Sequence, residues 1–104
     1  MTIQINTDKT ITGEKRSIDF FNSQIAEALQ RFESHITRIE VHLKDENGKK
    51  DGFNNVSCLI EARLEGRQPI AITNQANTID LAVSGAIDKI KTAIETILGR
   101  IRKH

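Results

Sequence analysis

The feature that most constrains this chain is a change in apolar spacing partway along it. Up to residue 36, apolar side chains recur every three or four positions, at Ile18, Phe21, Ile25, Ala28, Leu29, Phe32 and Ile36. From Arg38 to Lys44 the spacing drops to two, with Ile39, Val41 and Leu43 separated by Glu40 and His42. A repeat near 3.6 lines side chains along one side of a helix, whereas a repeat of two sends them to alternate faces of a strand. No single element satisfies both. The spacing therefore predicts an amphipathic helix over 18–34 that hands over to a half-buried strand over 38–44. Ser17 is the expected N-cap, since a hydroxyl there can accept a bond from a free first-turn amide.

The same two spacings order the rest of the chain. Residues 2–6 alternate, with Ile3 and Ile5 on one side, as a short strand would, and a polar stretch follows to Gly13. Asn47-Gly48 and Asp51-Gly52 mark 45–52 as a turn region, because these residues tolerate positive φ. Val56, Cys58, Ile60, Ala62 and Leu64 then alternate with Ser57, Leu59, Glu61, Arg63 and Glu65 in a longer strand. Residues 65–69 turn the chain, and 70–75 make a third, less regular strand after that turn. Over 78–102, Ile79, Val83, Ala86, Ile87, Ile90, Ile94, Ile97, Leu98 and Ile101 form a helical stripe, with Thr78 as N-cap. Gly99 lies inside that stripe and costs up to about 1 kcal/mol against alanine, which weakens the last turn.

The resulting order is β-α-β-β-β-α, an α+β class. Strands joined by short turns pair as antiparallel hairpins, so a mainly antiparallel four-stranded sheet is expected. The two amphipathic helices should cover one of its faces. The other face is left to solvent or to a partner. The 104 residues suit one domain spanning 1–104, and neither an internal repeat nor a linker interrupts them.

Composition narrows the function. A chain with 38% hydrophobic and 28% charged residues is globular, not disordered. Four Phe with no Trp or Tyr leave little for a base-stacking platform of the single-strand-binding kind. A net charge of +1 requires any nucleic-acid contact to come from a local basic face. One cysteine, Cys58, excludes an internal disulfide. Residues 1–6 lack the basic start and apolar run of a signal peptide, and no apolar stretch approaches the roughly 20 residues of a membrane span. A cytoplasmic protein with no membrane association is expected.

The chemistry-bearing residues form no catalytic set. His35, His42 and His104 stand without a partner at metal-ligand spacing. His42 alternates outward, and Cys58 alternates inward between Val56 and Ile60, where a thiol is inert. The acids are dispersed, and no phosphate-binding or nucleophile motif is present. The Asp45-Glu46-Asn47-Gly48 loop lacks the ligand series and terminal Glu of a calcium loop. No enzyme, cofactor, metal or small-molecule substrate is expected.

What remains is positive charge on the last helix. At about 100° per residue, Lys89, Arg100 and Lys103 fall on one flank of its apolar stripe, and Lys91 and Arg102 on the other, among Ser84, Asp88 and Glu95. Arg31 on the first helix and Arg38, Lys44 and Arg63 on the outer sheet face are supporting cations. These charges serve either as a solvated face that compensates the helix dipole or as contacts to RNA phosphates. The second use requires that they converge on one surface after folding.

Over nearly its whole length the chain resembles the ribosome hibernation-promoting factors, also known as ribosome-associated translation inhibitors. The likeness runs from the strand at 3–6 through Ala28-Leu29-Gln30-Arg31-Phe32, Ile39-Glu40-Val41-His42-Leu43 and 56–64. Its most specific part is Ala76-Asn77-Thr78-Ile79-Asp80-Leu81-Ala82-Val83 leading into Ala86-Ile87-Asp88-Lys89-Ile90. The Asp-Glu-Asn-Gly loop is similar to that of some short-form members. The resemblance implies a β-α-β-β-β-α fold with a core like the double-stranded RNA-binding domain. It implies binding to the small ribosomal subunit, between head and body, where mRNA and tRNA would be occluded and ribosomes held idle under stress. Cations would meet rRNA phosphates and read shape more than sequence. Lys89, Lys91, Arg100, Arg102 and Lys103 are the expected contacts, with Arg31 and Lys44 as weaker ones.

The chain departs from the family pattern at Ala28, where a lysine is frequent, and at Asp80, where a tyrosine is usual. Residues 91–95 are also less basic than the family's tail, and a short form without the long-form extension is expected. These differences leave a second function open: a protein-interaction module that keeps the fold with weakened rRNA binding, centred near Leu59 on the outer sheet face.

Overall fold

The structure is a computed structural model that describes residues 1–7, 15–45 and 56–102. Strand β1 (Thr2–Thr7) precedes helix α1 (Lys15–Leu29), which tightens into a 3-10 helix (Gln30–His35). Then come β2 (Ile36–Asp45), β3 (Val56–Leu64), β4 (Ile70–Ala76) and α2 (Ile79–Arg102). The strands lie in the order β1-β2-β3-β4. β2 and β4 both run antiparallel to β3, as their hairpin connections require. β1 instead runs parallel to β2, Ile3 beside Ile39 and Ile5 beside Val41, so α1 is the crossover between them. The sheet is therefore mixed, with two of its three pairings antiparallel.

Alternation places one apolar row of each strand on the helix side. Ile39, Val41 and Leu43 of β2 and Val56, Cys58, Ile60, Ala62 and Leu64 of β3 are all buried. From above, α1 contributes Phe21, Ile25 and Leu29, and α2 contributes Val83, Ala86, Ile90 and Ile94, completing one core. Among the described residues no helix is long and apolar enough to cross a membrane.

Three local departures from simple periodicity shape the scaffold. α1 begins at Lys15, so Ser17 lies within the helix and does not cap it. The expected helix to residue 34 becomes a 3-10 helix at Gln30; its tighter period keeps Phe32 buried three residues after Leu29. Ile36 then belongs to β2, not to the helical stripe. A register shift between Ile36 and Arg38 lets both Ile36 and Ile39 face the core, although they are three residues apart. The bulged Thr37 is exposed and donates its hydroxyl to the Arg63 carbonyl at 3.1 Å.

The connections that can be described follow the expected turn chemistry. Thr78 caps α2, its hydroxyl accepting from the Leu81 amide at 3.2 Å. Between β3 and β4 the Arg67 amide donates to the Leu64 carbonyl at 3.2 Å. Gly66 holds φ at +70°, the left-handed conformation such a turn needs at its third residue. The Glu65 amide also donates to the His35 carbonyl at 2.9 Å, tying this turn to the start of β2. The 45–52 turn lies outside the described residues after Asp45.

Candidate nucleic-acid interface

The direction of α2 decides where its charges go. Asn74, near the end of β4, donates from Nδ2 to the carbonyls of Ala82 at 3.2 Å and Leu81 at 3.4 Å. Gly85 makes that approach possible: a Cβ there would fall on the Asn74 amide, its Cγ only 2.8 Å away. At the opposite end, Ile97 lines a recess with the β3–β4 turn. α2 thus runs back along β4, one flank toward β4's free edge and the other toward α1.

The sequence-predicted cations occupy three settings. On the flank facing α1, Lys91 is half-buried beside a recess of about 530 Å³ shared with Glu27, Ala28, Gln30 and Arg31. Arg31 is exposed, forms an ion pair with Glu95 across the inter-helix groove, and lies over the Phe32 ring at 4.6 Å. Arg102 takes a position on the same flank in the last turn. On the other flank, exposed Lys89 donates to the Thr73 carbonyl of β4 at 3.1 Å, and Arg100 takes the position three turns on. Lys44 is exposed on the far side of the sheet. Arg31 and Lys91 are brought together, but Lys89 and Lys44 are not gathered with them. Lys103 lies outside the described residues.

The outer sheet face is a self-contained ion network. Arg38 bonds to Glu40 at 2.9 Å and also to the Gln4 side chain. Arg63 lies 3.5 Å from Glu61 and 3.9 Å from Glu40, and His42 lies 3.8 Å from Glu40. The hydrogen bond from Arg38, reinforced by the charges of Arg38, Arg63 and His42, holds the Glu40 carboxyl below its ordinary range. Leu59 sits in the middle of this face, only partly exposed. Cys58 is on the opposite face, where burial pushes its thiol up to about 12, so it is no nucleophile at neutral pH. Among the described residues no group of three or more His, Cys, Asp or Glu could hold a metal ion.

One cation in a prominent place falls outside the sequence-derived set. Arg67 is exposed beside a recess of about 760 Å³, lined by Gly66, Arg67, Gln68, Pro69 and Ile97. Its only sequence signal was the turn in which it sits, between Gly66 and Pro69.

The fold has close counterparts. The N-terminal domain of Protein Y from Thermus thermophilus matches with a TM-score of 0.74 at 15% identity, covering 93% of this chain and 99% of that one. A ribosomal subunit interface protein from Coxiella burnetii matches with a TM-score of 0.68 at 14% identity, covering 95% and 99%. At these identities the likeness is one of fold. No curated protein matches the chain in sequence. The family described as "Sigma 54 modulation protein / S30EA ribosomal protein", however, matches residues 10–102, nearly the whole chain, and the protein belongs to that family.

Proposed function

We propose that this protein is a cytoplasmic, non-catalytic ribosome-binding factor. In this reading it docks on the small subunit through cations that meet rRNA phosphates, and by occupying that subunit it lowers translation and keeps ribosomes idle under stress. The observation that carries it is the family match over residues 10–102. The shared fold supports it, because one counterpart is itself described as a ribosomal subunit interface protein. Cations on the two helices, the exposed Lys89 and Arg31 among them, would supply the means, since phosphate contacts dominate binding to RNA and need no base-specific readout.

The test is co-sedimentation with small subunits across a salt series. Binding that weakens steeply and log-linearly with salt is expected. Absence of binding at low salt would end the reading. A second reading, a protein-interaction module with weakened rRNA affinity, is favoured by one observation: Glu95 already neutralises Arg31 in the inter-helix groove. It predicts association that salt leaves unchanged.

A further inference from the structure

The three settings of the cations differ in their acids. In the inter-helix groove Arg31 and Lys91 stand with Glu27 and Glu95. On the outer sheet face Arg38 and Arg63 are matched by Glu40 and Glu61. A polyanion approaching either surface meets carboxylates as well as cations.

The β4 flank of α2 is different. Lys89, Ala93, Thr96 and the position of Arg100 follow one another at helical steps of four, three and four, a line about 16 Å long at 1.5 Å per residue. No acid shares this line: Asp80, Asp88 and Glu95 lie around the helix, toward α1 or outward. At its lower end stands the β3–β4 turn with Arg67 and its recess of about 760 Å³. Arg67 forms no ion pair with another described residue, and Glu65, the turn's acid, does not line the recess. Lys89 spends one of its three donors on Thr73 and remains exposed, so two are available to a ligand. The large exposed apolar side chains among the described residues, Met1, Phe20 and Leu81, all lie off this strip, which therefore suits an anionic backbone and not an apolar protein surface.

Resting on the ribosomal reading above, we propose that the strip from Lys89 down α2 to the β3–β4 turn is the surface that grips the rRNA backbone, and that Arg67 is one of its phosphate contacts. The inter-helix groove, though it holds Arg31 and Lys91, is not that surface.

The experiment compares two double variants of the full chain by co-sedimentation with small subunits. Arg67→Glu with Lys89→Gln empties the strip; Lys89→Gln keeps a donor for Thr73. Arg31→Gln with Lys91→Gln empties the groove. All four positions lie outside the core, and unchanged unfolding midpoints verify folding. Between about 50 and 200 mM salt each lost phosphate contact removes about a threefold share of the salt-induced loss of affinity. The strip variant should bind more weakly and with the flatter salt dependence, while the groove variant keeps the parental slope. A larger or equal flattening in the groove variant overturns the strip and leaves ribosome binding standing. Wild-type protein that fails to bind at low salt defeats the ribosomal reading itself. Binding that is indifferent to salt and to both variants points to a protein contact and overturns the proposal.

Discussion

Neighbouring residues of β2 and β3 build the two faces of one sheet, and the two faces are held by different physics. Inward, Ile39, Val41, Leu43, Cys58, Ile60 and Ala62 are 0–3% exposed and meet the helices. Outward, Arg38, Glu40, Glu61 and Arg63 alternate with them and are joined by ion pairs within each strand and by one, Arg63 to Glu40, across the two strands, with Leu59 between. The inner face is where stability resides, because apolar burial contributes about 25 cal/mol for each Å² removed from water. Exposed ion pairs contribute about 0–1 kcal/mol each, so the outer network fixes local charge more than it holds the fold. The contrast also bears on function: cations matched by neighbouring acids add little attraction for RNA, and counting lysines and arginines overstates the basic surface.

The largest test of this contrast substitutes two adjacent residues of β3. Ile60 is fully buried, whereas Leu59 points to the outer face and is partly exposed. Ile60→Ala should lower unfolding free energy by about 2–5 kcal/mol in urea titrations, through lost burial and a residual cavity. Leu59→Ala should cost less than about 1 kcal/mol, as surface changes usually do. Equal costs would mean that the outer face is itself covered, and would favour the interaction-module reading centred on Leu59.

How much of this was legible beforehand follows from the same contrast. The inner face could be read directly, since apolar residues at periods of two and 3.6 must be buried together for the chain to fold. That much gave β2, β3, α2 and the helix-covered face. The parallel pairing of β1 could not be read, because Ile3 and Ile5 show which side is apolar and not which neighbour they meet. The start of α1 at Lys15, the 3-10 helix and the Thr37 bulge were hidden by patterns that differ by a single residue. The partnership of Arg31 with Glu95 joins residues 64 apart, a distance that no local spacing reports. Which cations are free is a tertiary property, so helical spacing singles out Arg31, which Glu95 pairs, and not Arg67 in its turn.

The next effect in size is at the seam where α2 meets β4. Gly85→Ala would drive a methyl group into the Asn74 amide, which is held by the Leu81 and Ala82 carbonyls. Overpacking of this kind costs about 1–3 kcal/mol, which outweighs the roughly 1 kcal/mol gained by replacing a helical glycine. Net destabilisation is expected, with Lys89 displaced from Thr73 as the helix shifts. Asn74→Ala removes the obstacle, so the double variant should be more stable than Gly85→Ala alone. A stabilised Gly85→Ala single variant would show that the helix rides higher on β4 than the Asn74 contacts indicate.

The smallest effect belongs to the outer network, and pH isolates it. Glu40 is held below its ordinary value of 4.5, chiefly by the Arg38 hydrogen bond, so its carboxylate is more stable in the folded chain than in the unfolded one. The sign follows from linkage: a group whose folded pKa is depressed contributes stability that is complete above its unfolded value. That contribution is lost as pH falls from 4.5 through the lower folded value. Glu40→Gln should therefore narrow the gap to wild type as acid is added, with the two curves closest once both are protonated or neutral there. Because the pairs lie at the surface, about 1 M salt should shrink the difference at neutral pH. Arg38→Gln should shrink the same pH dependence, since it removes the principal donor. If the wild-type and Glu40→Gln curves stay parallel from neutral pH down to acid, the carboxylate draws no more from Arg38 when folded than when unfolded. The outer face would then be a set of independently solvated charges, its arginines as available to a polyanion as Lys89, and the distinction between matched and unmatched cations would lose its basis.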